Sequence, residues 1–469
     1  MPSVLIIGAG FGGIGMAIEL RRSGFTDVTV VEKASELGGV WRENTYPGAG
    51  CDIPSPYYSF SYAPASNWPM RFSLQADIKA YLERTAASYG VVPRYGVEVT
   101  SAAFESGRWV VTTASGETLE ADVLIPAVGQ LSRPAMPDLP GTFDGPAFHS
   151  ARWDHSVDLT GKRVAVIGTG ASAAQFVPHV AARTAELTVF QRTPPYVVPK
   201  PDVRYRDWQR RLWSQRLERG VFWGTGELGT LGLVGNRAIA SVVKRIALRH
   251  LRKQVPDPRL RAKLTPDYQI GCKRVLFSND YYPALARPNT HVETADLLEI
   301  TPHGVSSAAG TVDVDVLIYG TGFTATDFLA PMEIRGRNGL PLSKAWKAGA
   351  QAYLGMTVPD FPNLFLMYGP NTNLGSGSIV YMLERQARYI RQAVAVLSGW
   401  STVEVRPEVA SRFDAEVQSR LATSAWTGCR SWYRSSSGRV TTNWPGLVSE
   451  YDRRTRTLDL TEYLVGDPR

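Results

Sequence analysis

Ser3-Val-Leu-Ile-Ile-Gly8, followed at once by Ala-Gly10-Phe-Gly-Gly13, decides the fold of this chain. The apolar run before Gly8 has the pattern of a parallel strand buried on both faces. Ile14 to Ser23 reads as a helix with an apolar face, Gly24 ends it, and Val28-Thr-Val-Val-Glu32 makes a second strand. Each glycine of this G-x-G-x-x-G turn has its own job. Gly8 permits the tight turn, Gly10 lets backbone approach a pyrophosphate, and Gly13 lets the helix sit close on the strand. The helix N-terminus adds free N–H groups and the positive end of a dipole. Glu32, 24 residues after Gly8, is placed to accept hydrogen bonds from a ribose diol.

The signal recurs. Arg163-Val-Ala-Val-Ile-Gly168-Thr-Gly170-Ala-Ser172-Ala173 has the G-x-G-x-x-A form, and Ser172 and Gln175 are assigned to the cofactor at this second turn. The next strand, Leu187 to Phe190, ends in Gln191-Arg192-Thr193, where an NAD-binding unit places its acid. An acid there would repel a ribose 2′-phosphate. Arg192 attracts it and Thr193 donates a hydrogen bond, so NADPH is expected over NADH. Two nucleotide units in one chain imply electrons passing from nicotinamide to flavin and onward. Disulfide reductases pass them to a close pair of cysteines. None is visible here, which leaves oxygen as the acceptor.

Between the units stands Phe143-Asp-Gly-Pro-Ala-Phe-His-Ser-Ala-Arg-Trp-Asp154. Taken alone it reads as a hinge whose aromatic residues pack on both neighbours. Its pattern, Phe143, Gly145, His149, Trp153 and Asp154, resembles the fingerprint of the type I Baeyer–Villiger monooxygenases. The resemblance covers nearly the whole chain, with motifs in the family order. Gly38-Gly39-Val-Trp41 resembles the second FAD-contacting glycine pair. Tyr46-Pro-Gly-Ala-Gly-Cys-Asp52 resembles one subgroup's loop, with Gly50 where many members carry arginine. Asn373, in the glycine-rich lead to a helix beginning near Ser378, is placed on the flavin side. Cys429-Arg-Ser-Trp-Tyr433 resembles the family's C-terminal tail.

The resemblance implies an α/β fold of two Rossmann-like domains, the NADP domain inserted in the FAD domain. Residues 1–140 and 336–469 would form the FAD domain, 141–159 the linker, and 160–335 the NADP domain with a helical insertion over 205–253. It implies FAD and NADPH as cofactors, with Gly39, Trp41 and Asp52 at the flavin. Lys273 would hold the 2′-phosphate. Arg274 would be the active-site arginine and Asp52 the acid that orients it. The implied reaction inserts an oxygen atom from O2 into a hydrophobic ketone, giving an ester or lactone through a C4a-peroxyflavin. Arginine suits it because its charge cannot be lost at any working pH. A flavin monooxygenase oxidising sulfur or nitrogen is the alternative, and a redox-sensing protein without oxygenation a third reading. Trp153-Asp154 favours the ketone branch, and His149 reads as a hinge anchor rather than a general base.

Composition fits. The 469 residues suggest two to three domains, and 44% hydrophobic and 20% charged residues suit a globular protein. The net charge of +8 suits phosphate-bearing cofactors, with no aromatic-interleaved basic cluster of a nucleic-acid module. Cys51, Cys272 and Cys429 are odd in number and widely spaced, so neither a metal set nor a disulfide framework is expected. The first strand starts by Ser3, and a cytoplasmic setting is the expectation. The insertion is expected to cover an active site rather than to touch a membrane.

Overall fold

The computed structural model describes residues 1–429, 431–435 and 437–468. Two parallel sheets organise it. In the first, β1 (Val4–Ile7) lies between β2 (Val28–Glu32) and β4 (Val123–Pro126), with β3 (Arg94–Tyr95) outside β2. Every residue of β1 and β4 is buried, as an apolar run between covering layers requires. Helix α1 (Phe11–Arg22) follows the Gly8 turn. It ends where Gly24, at φ +88°, lets Phe25 N–H reach back to the Leu20 carbonyl.

The second sheet has the order β8-β7-β6-β9-β5, all parallel. Its strands are β5 (Ala147–His149), β6 (Arg163–Ile167), β7 (Glu186–Phe190), β8 (Thr290–Glu293) and β9 (Val316–Tyr319). The Phe143–Asp154 stretch thus supplies an edge strand of the second sheet. Helix α2 (Ala171–Ala181) follows β6 and buries Ala173, Phe176, Val177 and Val180. The insertion forms α3 (Leu212–Leu233) and α4 (Arg237–Gln254), the latter capped by the Asn236 carboxamide. The chain then returns to the first unit. Leu364 bridges Leu124 of β4, and α5 (Ile379–Val396) packs on α1 within one shared core. Among the described residues no helix is long and apolar enough to cross a membrane.

Three readings of the sequence need correction. By its alternation Val97 to Thr113 reads as a strand, and Leu119 to Ile125 as another. The first is a hairpin, Val99–Glu105 and Arg108–Thr113, turning at Ser106 and Gly107, both at positive φ. The second splits at Asp122, whose carboxylate accepts from the Ser3 N–H and hydroxyl. Lastly, Cys272 and Cys429 form a disulfide with Cα atoms 5.9 Å apart, leaving Cys51 free and buried. They stand 157 residues apart, and only the C-terminal tail folding over Gly271–Arg274 joins them. Arg430 of the tail motif lies outside the described residues.

Candidate active site

The first cleft is built from backbone. Gly8 sits at φ +105°, and a Cβ there would stand 2.7 Å from the Ala127 oxygen. A Cβ on Gly13 would stand 1.8 Å from the Gly8 oxygen, so α1 closes on the turn only with glycine. Gly10 begins α1 without a side-chain cap and faces Gly39, whose Cβ would lie 3.1 Å from the Gly10 Cα. Two turns therefore meet with no side chain between them, and the uncapped N–H groups of α1 are free for an anion. Glu32, buried at the end of β2, accepts from Ala9 N–H at 2.8 Å and Ala34 N–H at 3.0 Å. Two anchors fix the carboxylate and leave it capacity for a ribose diol. Trp41 donates its indole N–H to the Tyr58 hydroxyl at 3.2 Å.

The second cleft repeats the plan. Gly168, at φ +107°, would bring a Cβ to 2.4 Å from the Gly320 oxygen. Gly170 begins α2 uncapped, and a Cβ on it meets nothing within 4 Å, so approach from that side is open. Gln191 turns away and donates to the Lys263 carbonyl at 2.9 Å, and the Thr193 carbonyl accepts from the Thr169 hydroxyl at 3.2 Å. Arg192 is exposed. Lys273 is partly buried with its ammonium 5.1 Å from the centre of the Tyr268 ring. Burial first, and Arg192 second, hold Lys273 below its ordinary pKa. Neither cation has a carboxylate within 4.0 Å among the described residues. Asp267 acts on Lys273 more weakly than Arg192 does, so two cations that repel each other and have no ion-pair partner among the described residues fit a phosphate dianion.

Asp52 lies where the two units meet. Its ion pair is with Lys200 at 3.9 Å, a residue the sequence did not single out, and Oδ1 of the carboxylate is buried without a hydrogen bond. Burial pushes the Asp52 carboxyl above its ordinary range, against the pull of Lys200 and then Arg274. Arg274 is therefore near Asp52 but is not its ion-pair partner. Burial works against the Arg274 charge, but Asp52, followed by Tyr433, Cys51 and Tyr368, more than offsets it and holds the guanidinium above its ordinary value. Lys200 and Arg274 come from different segments, and both act on Asp52. Burial raises the Cys51 thiol and the Tyr433 phenol to about 12, so both are neutral near Arg274 at ordinary pH.

Gln175 faces the loop of Asp52 rather than the open side of the Gly170 turn. Its amide bonds both backbone groups of Gly50 and takes the Tyr46 hydroxyl. Gly48, at φ +82°, lies so close to α2 that a Cβ would stand 2.5 Å from His179 Nε2. Ser172, beside Tyr46, favours the ionised form of that phenol, but burial dominates and raises it to about 12. In the fingerprint, Trp153 contacts Phe148, Phe176 and Tyr46, so it touches both units. A Cβ on Gly145 would stand 2.7 Å from the Phe143 ring. His149 is buried, and its Nδ1 accepts from Ala151 N–H at 3.1 Å, which places the ring proton on Nε2. Burial holds its pKa below the ordinary value. Asp154 is exposed and caps Ser156.

Asn373 is buried in a chain that runs from the Tyr368 hydroxyl through Asn373 to Asn443, with both bonds at 2.6 Å. Glu384 stands four residues before Arg388, a spacing that suits a surface pair on a helix, but it is buried. It accepts from Ser61 and pairs with Arg219, while Arg388 pairs with Asp452. The sequence also did not mark Tyr58 and Tyr368, which join Tyr433 of the tail motif around Arg274. Their only signal was aromatic character, which a core shares.

The profile of the pyridine nucleotide-disulphide oxidoreductase family matches residues 5–244. A Baeyer–Villiger monooxygenase of Streptomyces coelicolor is 45% identical, the match covering 99% of this chain and 93% of that one. One of Pseudomonas aeruginosa is 42% identical over 98% of this chain and 90% of its own. Among solved structures, a steroid monooxygenase bound to NADP superposes with a TM-score of 0.90 at 29% identity, covering 99% of both chains. The OTEMO complex with FAD and NADP gives 0.91 at 28% identity with the same coverage.

Proposed function

The chain belongs to the Baeyer–Villiger monooxygenases, and on that premise we propose how its own residues divide the work. It is an NADPH-dependent flavoprotein monooxygenase that uses FAD. One oxygen atom of O2 enters the bond beside a ketone carbonyl, the other leaves as water, and NADPH supplies the two electrons. FAD, once reduced, supplies the activation of oxygen.

Gly8, Gly10, Gly13 and Gly39, with the uncapped start of α1, hold the FAD diphosphate, and Glu32 holds a ribose. Trp41 and Asn373 border the flavin. Gly168, Gly170 and Ser172 hold the NADP diphosphate. Arg192, Thr193 and Lys273 take the 2′-phosphate. The domains divide near residues 140, 159 and 335. Arg274 faces the negative charge that develops on oxygen during attack on the ketone, in a place where water is scarce and a fixed charge acts strongly. Asp52 keeps that cation in position, and Lys200 shares the carboxylate. His149 anchors the linker and exchanges no proton with substrate. The substrate is a hydrophobic ketone, in keeping with the tyrosines and the buried tail around Arg274.

The observation that carries this reading is a half-buried arginine beside a buried carboxylate, set between two glycine-walled clefts. Its test is a panel of ketones and sulfides with NADPH, products identified by mass spectrometry. Esters or lactones from ketones are expected. Sulfoxides alone would support the sulfur-oxidising reading instead, because that chemistry needs no anionic oxygen and so no Arg274.

A further inference from the structure

The outer face of α3 is bare. Trp213, Leu217, Val221, Leu228 and Leu231 recur at the helical repeat, so they share one side, and they are 57%, 64%, 54%, 55% and 36% exposed. Trp208 just before the helix, and Val242 and Ile246 on α4, are exposed as well. Apolar groups in such number on one element mark an interaction surface.

Charge says what covers it. Residues 203–254 carry twelve Arg and Lys against three Asp and Glu, a net +9 in a chain whose total is +8. The acids are mostly turned inward. Glu218 bonds Arg71 and the Tyr205 hydroxyl, and Glu227 bonds the backbone of Val448 and Ser449. Arg211, Arg216, Arg237, Arg245, Arg249 and Lys253 are exposed and have no carboxylate within 4.0 Å among the described residues. A second copy laid on this face would set arginine against arginine. An apolar stripe edged by unpaired cations instead matches the headgroup and acyl boundary of an anionic bilayer.

We propose that the α3–α4 insertion docks on the surface of an anionic phospholipid membrane, with the Trp213–Leu231 stripe sunk into the interface. The opposite face of α3 is already engaged. Cβ atoms on Gly226 and Gly229 would stand 3.2 Å from the Gly377 Cα and 2.6 Å from the Ser376 hydroxyl, so α3 lies directly on the segment that follows Asn373. One helix thus separates the membrane from the candidate active site. Given the ketone reading above, membrane-dissolved ketones would reach it without crossing water. Docking itself does not depend on that reading.

The test is flotation of the purified, flavin-loaded protein with vesicles of phosphatidylcholine alone or mixed with phosphatidylglycerol, and light scattering without vesicles. Binding to the mixed vesicles only, weakened by salt, is expected. The pair Arg245→Gln and Arg249→Gln is expected to lower the affinity about tenfold or more. Leu217→Glu with Leu228→Glu is expected to abolish it while NADPH oxidation continues. Wild-type protein that floats with neither vesicle would overturn the proposal. A stable dimer in solution, split by the Leu217→Glu and Leu228→Glu pair, would overturn it too, because the stripe would then be covered by a second copy.

Discussion

Gln175 grips Gly50 from both sides. Its amide nitrogen donates to the Gly50 carbonyl at 3.0 Å, and its amide oxygen accepts from the Gly50 N–H at 3.3 Å and the Tyr46 hydroxyl at 2.9 Å. The helix that begins at the second cleft therefore holds the loop that ends in Asp52. Gln175→Ala is expected to keep FAD bound but to lower the ester formed per NADPH consumed about tenfold or more, since a loosened loop misplaces Asp52 and Arg274. The ratio of product to oxidised NADPH measures it. An unchanged ratio with a raised KM for NADPH would make Gln175 a cofactor ligand instead.

Arg192 and Lys273 repel each other, and among the described residues neither has an ion-pair partner. Arg192→Ala and Lys273→Ala are each expected to cut the preference for NADPH over NADH about tenfold or more, mainly through KM, the effect shrinking as salt is added. Steady-state kinetics with both nucleotides decide. If neither variant changes the ratio, the 2′-phosphate is held elsewhere.

Both glycine turns were legible because their spacing is a local signal and the clash that forbids a side chain is with the neighbouring strand. The Gly13 Cβ meets the Gly8 oxygen, five residues away. The missing acid after β7 was equally local. What escaped is tertiary. Gln175 and Gly50 stand 125 residues apart, and Asp52 meets a lysine from a different part of the chain, Lys200. Glu384 and Arg388 looked like a surface pair because their four-residue spacing is correct. The structure buries that face of α5 under Ser61 and Arg219.

The thiols give a direct check on the tail. Cys272 adjoins Lys273 and Arg274, and its disulfide to Cys429 ties the C-terminal tail to the active-site segment. Protein purified and denatured without reductant is expected to titrate one thiol per chain, that of Cys51. Reductant is expected to raise this to three and to lower the melting temperature, because a closed loop of this length restrains the unfolded chain. Three thiols before reduction would contradict the pairing.

Acid is expected to loosen the same tail. Glu416, hydrogen-bonded to Arg454, has a depressed pKa. Burial opposes the ionised forms of Glu450 and Asp452, but Arg420 and Arg385 outweigh it and depress both. Depressed carboxyls contribute stability that is present above their ordinary values, 4.5 for glutamate and 3.8 for aspartate. It is lost as the pH falls through the lower folded values. The helix Val448–Arg454 carries Glu450, Asp452 and Arg454. Its amide hydrogen exchange, referenced to the intrinsic rate at each pH, is expected to lose protection between about pH 5 and about pH 3, before β1 and β6 do. Equal protection of all three across that range would contradict the account.

On the proposed reading, half-buried Arg274, set by Asp52 and Lys200, serves oxygen insertion beside a ketone carbonyl. Mass spectrometry of the product formed from a ketone, NADPH and isotopically heavy O2 tests it most directly, with wild type and Arg274→Ala side by side. Wild type is expected to give an ester or lactone carrying one heavy oxygen. Arg274→Ala is expected to oxidise NADPH slowly, with FAD still bound, and to give none. Labelled ester from the variant at the wild-type rate would contradict the role assigned to Arg274.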